Sequence, residues 1–515
     1  MVGSKTYILL LGFLLCLVKP VFSQVDDREA EEHYKHNNFL MAIPVYKNLL
    51  KVERDNPGYN YKLGLCYLKT NIDKPQAIVY LERAYKTGKY PHDLPYYLGY
   101  AYALDYRLDD ALKILEEHKA KAGGKDKEMT LKLIEDCKMA KELMKNPISV
   151  HFENLGDKFN TEYPDYYPFV SADETFISFN SRRKTSKTKD PQEDGYYNCD
   201  IYTSSYNGSE YTTATLAQGI NSATDDQVVG ISPTGEVIFI FSQAQEIYGA
   251  LYMVKRNGNI LGKKEKFTTS VNDEKSIEIS GFMSPDGQVV FFASNRSGGY
   301  GGYDIWMVRH LPNGTWAIPQ NCGPMINTAG DEDFPSISFD GTTVYFSSNG
   351  HVGMGGFDMY QVKWNVEGNE FSDCKNIGYP LNTPYDERTI SYTEDGKHAY
   401  VSSSRKGGKG DLDIYRVTFD AVEITPAIFN IKLPTGLADH PFLTDGVIVV
   451  FNQKNEPIGE YRPNASGKFT IALGPGVYDI QVDSPGYKQT RSQLKVNEFT
   501  MRMGVIDSEI KLIKN

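Results

Sequence analysis

Paired cysteines, catalytic signatures, long apolar runs and an excess of positive charge are all missing from this 515-residue chain. The six cysteines (Cys16, Cys66, Cys137, Cys199, Cys322 and Cys374) are scattered and form no C-x-x-C, so neither a disulfide framework nor a cysteine-based zinc site is indicated. No H-E-x-x-H is present, and Ser232 in GISPTG lacks the G-x-S-x-G spacing of a nucleophile elbow. The GYGGYD segment before Ile305 is followed by no helical pattern, so it cannot present amides to a phosphate. With 55 Lys+Arg against 66 Asp+Glu the formal net charge is −11, which disfavours nucleic acid and anionic membrane surfaces as partners. No catalytic residue, cofactor or metal is expected, and the chain is not expected to be an enzyme.

Residues 1–23 carry the pattern of a cleavable signal peptide: Lys5, an apolar run from Tyr7 to Val18, and a small-residue exit at Val21-Phe22-Ser23. The run is shorter than the roughly 20 residues a membrane helix needs. No later run approaches that length, so export without a transmembrane segment in the mature chain is expected. Leu14 and Leu15 precede Cys16 where a lipoprotein signal wants a small residue, so lipidation there is not expected. Cleavage removes Lys5 and Lys19 and no acid, which leaves the exported chain more acidic still.

Residues 24–146 read as helical repeats. Ala42, Ala77 and Ala111 recur at intervals of 35 and 34, and Leu63-Gly64 and Leu98-Gly99 precede the last two. Tyr46, Leu81 and Leu115 follow each alanine by four, and Pro57 and Pro91 mark repeat ends. Small residues at such positions let paired helices approach, while Tyr and Leu fill the groove between them. The pattern resembles the tetratricopeptide repeat. That resemblance implies an array that binds extended peptides or protein partners, with Asp126 to Lys145 as its closing helix.

From residue 147 to 421 the composition turns to Tyr, Phe, Val, Ser and Gly. The marker positions Asp200, Ala250, Asp304, Asp358 and Asp413 are separated by 50, 54, 54 and 55 residues. Turn glycines Gly235, Gly287, Gly341 and Gly396 keep the same beat, with Ala172-Asp173-Glu174 in their place in the first unit. An I-N-[ST]-type element recurs at Asn221, Asn327 and Asn382, with Asn160-Thr161 at the head. Units of this length with several short strands are expected to build a β-propeller. The marker aspartates are expected to accept backbone N–H bonds within the glycine loops. The stretch 148–155 has the character of an outer strand with no unit before it. It is expected to complete the last unit and give five blades; six blades with one degenerate unit is the alternative.

Arg182, Arg183, Arg296 and Arg405 follow the central strands at matching places. Two roles remain open for them: lining one face as a site for an anion or a carboxylate terminus, or pairing with carboxylates of the sheets. His351 is a candidate ligand-facing residue or a loop-packing one. Asp331-Glu332-Asp333 and Asp386-Glu387 stand at equivalent places, which favours a structural or water-bridged role over paired catalytic acids, with calcium as a minor alternative. The units resemble the PD40 or TolB-like propeller repeats of bacterial periplasmic proteins.

In residues 424–515, Gly446 to Phe451 reads as a buried strand, and Ser466-Gly467, Gly474-Pro475-Gly476 and Gly486-Tyr487 stand at hairpin spacing. This resembles the carboxypeptidase regulatory-like fold, a small transthyretin-type β-sandwich without catalysis. The whole order resembles the PorE-like envelope proteins of the Bacteroidota, associated with type IX secretion and gliding. Typical members end in an OmpA-like peptidoglycan-binding domain. Here the sandwich runs directly to Asn515, so direct peptidoglycan anchoring is not expected. The resemblance implies a periplasmic, non-enzymatic scaffold that holds envelope proteins through its array and propeller, with outer-membrane association and an indirect link to peptidoglycan as further options. The alternative is a cell-wall or glycan recognition module.

Overall fold

A computed structural model describes residues 19–185, 190–243, 249–339, 341–365, 368–405, 407–420, 426–497, 500–501 and 505–515, with side chains from Asp27 onward. Most of the proposed signal peptide, residues 1–18 with Cys16, lies outside the described residues. No described helix is long and apolar enough to cross a membrane. The chain forms two compact units: residues 1–148, 152–392 and 400–416, and residues 149–151, 393–399 and 417–515.

Seven helices open the described chain: α1 (Lys19–Lys35), α2 (Phe39–Val52), α3 (Pro57–Lys69), α4 (Gln76–Lys86), α5 (Leu94–Leu104), α6 (Leu108–Lys119) and α7 (Gly124–Leu143). Local chemistry sets their starts. The Asn38 side chain accepts the Met41 amide, the Asn56 side chain accepts the Tyr59 amide, and Pro57 opens α3 where no amide is needed. The repeated Leu-Gly has a packing cause. A Cβ on Gly64 would stand 2.6 Å from Leu81 Cγ, and one on Gly99 would stand 2.6 Å from Leu115 Cγ. Successive helix pairs thus use the same glycine-leucine contact, and Ala42, Ala77 and Ala111 are completely buried beside it.

Antiparallel sheets follow. The first four run in chain order from the strands Asp165–Val170, Asp226–Ile231, Glu278–Met283 and Glu332–Ile337. The fifth pairs Ser391–Tyr392, His398–Ser403, Asp413–Phe419 and, from the start of the array, Val150–Asn154. The first strand of each of the first four sheets carries a register shift, between Tyr166 and Phe169, Val228 and Gly230, Glu278 and Ser280, and Asp333 and Ser336. Such bulges re-aim side chains and add twist. The turn after that strand needs a left-handed residue. Gly235, Gly287, Gly341 and Gly396 sit at φ 72°, 70°, 74° and 67°, and Glu174 takes the position at φ 57° in the first sheet. Arg416 and the Tyr400 hydroxyl hold the Glu174 carboxylate at 3.0 and 2.7 Å.

Each sheet touches the next and the last touches the first. Asn180 bonds both backbone groups of Val228, a Cβ on Gly230 would meet Gly281, and Ser280 donates to Asp333 at 2.6 Å. The Tyr345 and Tyr392 rings lie 4.8 Å apart, and Ser391 donates to the Pro168 carbonyl at 3.1 Å. An N-terminal helical region followed by a β-propeller-type array is therefore the architecture of this part of the chain.

In the second unit, a sheet of Lys468–Leu473, Ala427–Lys432 and Val505–Glu509 and a sheet of Pro457–Tyr461, Val447–Phe451, Gly476–Asp483 and Thr490–Val496 share one apolar core. Phe429, Ile431, Ile448, Val450, Phe469, Ile480 and Val482 supply most of it.

Candidate functional site

The repeat's loops are built by three side chains. The marker aspartate comes first. Asp304 accepts the amides of Tyr300 and Gly301 at 2.7 and 3.1 Å, Asp358 those of Met354 and Gly355 at 2.7 and 3.3 Å, and Asp413 that of Lys409 at 2.6 Å. Asp200 stands opposite Ser181 in the register that Asp304 shares with Ser294.

An asparagine comes second. It clamps both backbone groups of the residue after the marker: Asn221 on Ile201, Asn327 on Ile305, Asn382 on Met359 and Asn160 on Ile414. Asn272 makes the same pair of bonds to Leu251. Asn272 lies outside the I-N-[ST] element because Val271 precedes it and Asp273 follows.

A buried acid comes third, at the start of the first strand in the first four sheets and four residues before it in the fifth. Asp165, Asp226, Glu278, Glu332 and Glu387 accept the loop amides of Thr161, Ser222, Asp273, Thr328 and Thr383. Glu332 and Glu387, from the acidic clusters, each also accept a threonine hydroxyl at 2.6 Å, while Asp331 takes the Tyr303 amide and Asp386 the Phe357 amide. These carboxylates hold loops.

The candidate cations join this network. Arg183 donates to Asp165 and to the Phe159 carbonyl at 2.5 and 2.7 Å, and Arg296 to Glu278 and the Val271 carbonyl at 3.1 and 2.5 Å. His351 Nε2 donates to the Ile326 carbonyl at 2.8 Å, so it reaches the residue before the clamp asparagine as those arginines do. Arg405 donates to the Pro380 carbonyl at 2.5 Å with its guanidinium 3.6 Å from the Phe152 ring centre. Arg182 differs: it grips Asp194 and the Tyr197 carbonyl.

The helical array sits on these same loops. Asp136 of α7 accepts the Gly353 amide at 3.0 Å, and Met354, wholly buried, enters the helical core with Tyr379 and Tyr385 packed against it. Asp411 accepts Asn71 Nδ2 and the Tyr196 hydroxyl, each at 2.5 Å. Between the two modules lies a cavity of about 200 Å³ whose lining includes Lys74, Tyr100, Tyr167, Glu387, Arg388 and Ser403. That is smaller than the roughly 300–1,000 Å³ of ordinary ligand pockets. Of its lining residues, Tyr167 packs against the Phe334 ring at 4.5 Å, and Arg388 lies 3.5 Å from the Phe357 ring centre and 3.6 Å from Asp333. Burial lowers the Lys74 ammonium below its ordinary range, and the Lys74 Nζ donates to the Leu68 carbonyl at 2.8 Å. These contacts fix one module on the other.

Burial pushes the Glu387 carboxyl up to about 8 and the Asp358 carboxyl up to about 7. Both are raised above their unfolded values, so the folded chain holds the extra protons, and its stability falls as pH climbs through that window. We expect the melting temperature of the wild-type chain to drop by about 5 °C between pH 5.5 and 9 through these groups. Glu387→Gln should flatten the profile in differential scanning fluorimetry; an unchanged slope would rule out this carboxyl as the cause.

No family model and no curated protein matches the chain. Among solved structures, TolB from Acinetobacter baumannii is similar over 50% of this chain and 54% of its own, at 15% identity and a TM-score of 0.30. A protein from Agrobacterium tumefaciens described as TolB is similar over 64% of this chain and 98% of its own, at 16% identity and a TM-score of 0.32. The match thus spans about half the length of the Acinetobacter protein. The architecture of the chain rests on its own strand order and clamps.

Proposed function

We propose that this chain is a non-enzymatic scaffold of the bacterial cell envelope, exported by the segment 1–23. In this reading residues 24–146 are a tetratricopeptide array, 147–421 a closed five-bladed PD40-like propeller, and 424–515 a carboxypeptidase regulatory-like sandwich. The observation that carries the reading is the seating of Met354, Asp136 and Asp411 between array and propeller. It holds the helical array and the propeller loops in one geometry, as a scaffold with two binding modules requires. Five asparagine clamps, one of them bridging Asn160 and Ile414, support five blades closed by the strand Val150–Asn154. Envelope location follows from the N-terminal pattern, and a place in a type IX secretion or gliding machinery from the domain order.

Affinity purification of the untagged chain's antibody complex from the native envelope tests this. One or a few defined proteins should be recovered in near-stoichiometric amounts. Retention on purified peptidoglycan or glycan, with no protein recovered, would replace scaffolding by the alternative reading, cell-wall recognition.

A further inference from the structure

We propose that His92, His118 and Asp126 form a binding site for a divalent transition-metal ion, zinc above all, at the end of the helical array. His92 stands just before α5, His118 lies in the last turn of α6, and Asp126 lies in the first turn of α7. The three elements meet only through folding, and the spacing of 26 and 8 residues matches no zinc motif.

The geometry points to a shared cation. Asp126 Oδ2 lies 3.1 Å from His118 Nε2 and 3.3 Å from His92 Nδ1, and all three donor atoms fall within 4.8 Å of one another. Ligands at zinc bond lengths of about 2.0–2.2 Å stand about 3.3 Å apart in a tetrahedron. Asp126 Oδ2 is buried and accepts no hydrogen bond from any described residue, although two imidazole nitrogens lie close to it. His118 Nε2 also lies 3.2 Å from Asp126 Oδ1, and a zinc ion would take the place of the proton in that hydrogen bond, since an imidazole nitrogen coordinates only when deprotonated. Two imidazoles and one carboxylate suit zinc, copper or nickel, whereas magnesium and calcium favour an all-oxygen set.

The side chain of His118 is 2% exposed and that of His92 63% exposed, so the site has a fixed inner wall and an outer ligand that can swing into place. It opens on a groove of about 540 Å³ lined by Asp93, Tyr96, Tyr97 and Met129 as well as His92 and Asp126. Three protein ligands leave a fourth position to water or to a donor from a molecule in that groove. A bound ion would tie the last three helices together.

The test is calorimetric titration of zinc ion into the untagged full-length mature chain after stripping with EDTA. One zinc per chain should bind, with a rise in melting temperature. His92→Ala removes an exposed side chain and should keep the metal-free melting temperature while weakening zinc at least tenfold, an effect of about the size that outer-shell changes already produce. Cobalt(II) in place of zinc should give tetrahedral ligand-field absorption that Asp126→Asn abolishes. Absence of stoichiometric zinc binding by the wild-type chain overturns the site, and so does equal affinity in His92→Ala.

Discussion

Replacing Gly230 by alanine will lower the melting temperature of the chain by about 4 °C, whereas the same change at Gly281 will leave it nearly unmoved. The two glycines face each other on the first strands of neighbouring sheets. A Cβ on Gly230 would overlap the carbonyl oxygen of Gly281, and that oxygen belongs to a strand paired along its length with Val289–Ser294. Backbone cannot rotate out of the way as a flexible side chain can, so the two sheets must part. Overpacking of this kind costs about 3 kcal/mol or more at its upper end. The nearest atoms to a Cβ on Gly281 are Leu251 Cδ1 at 3.4 Å, Phe239 Cδ1 at 3.5 Å and the Phe291 carbonyl oxygen at 3.6 Å, which is ordinary contact. Alanine there also recovers some of the entropy a strand glycine loses, about 0.5–1 kcal/mol. Thermal unfolding of the two variants side by side decides the matter. Equal losses would show that the strands are not in closest approach at this point.

Those two glycines also show how far the sequence can be read. A glycine inside a strand pattern warns of close backbone approach, but only the packing tells which of the two is intolerant. The turn glycines, marker aspartates and most clamp asparagines are legible because each does a local job at a fixed period, and a local job leaves a local signature. Asn272 does the same job without the Ser or Thr that flags the others. The buried acids Asp165, Asp226 and Glu278 are harder still, since the position holds Asp in the first two units and Glu in the next three, and its spacing from the asparagine stretches from five residues to six at Asn272 and Glu278. Seating of the array on the propeller leaves no periodic trace. Met354 occupies the place that Tyr300 takes one unit earlier, yet Met354 is wholly buried and Tyr300 is 53% exposed. Their neighbours in sequence are almost identical; what differs is the helix above one of them. His92, His118 and Asp126 are invisible for the same reason, being joined by the stacking of three helices and by nothing in their order.

The junction between the two ends of the strand array should depend on Asn160 in a way that no other clamp asparagine matches. Asn160 Oδ1 accepts the Ile414 amide at 2.8 Å, and its Nδ2 donates to the Ile414 carbonyl at 3.0 Å and to Asn154 Oδ1 at 2.8 Å. Asn160 and Ile414 are buried, so Asn160→Ala strands the Ile414 N–H at about 1–3 kcal/mol, while the Ile414 carbonyl keeps the Leu155 amide at 3.1 Å. Asn221→Ala removes the same set of bonds, to Ile201 and Ala217, and should lose a similar amount of global stability. The difference lies in chain connectivity. Asn221 and Ile201 are 20 residues apart, so their sheet stays threaded when the clamp goes; Asn160 and Ile414 are 254 residues apart, and the start of the array is tied to its end by this clamp, the pairing of Val150–Asn154, the Asp165 amide on the Leu412 carbonyl and the contacts of Glu174 with Tyr400 and Arg416. Opening should therefore become local at residues 150–165 in Asn160→Ala. If about 2 kcal/mol is lost from that local equilibrium, cleavage of the segment by a protease that samples the open state rises about 30-fold. Asn221→Ala should show no such preferred site. Limited proteolysis with mass mapping of the first cut reads this directly, and identical first cuts at identical rates in the two variants would mean that the array is not latched at Asn160.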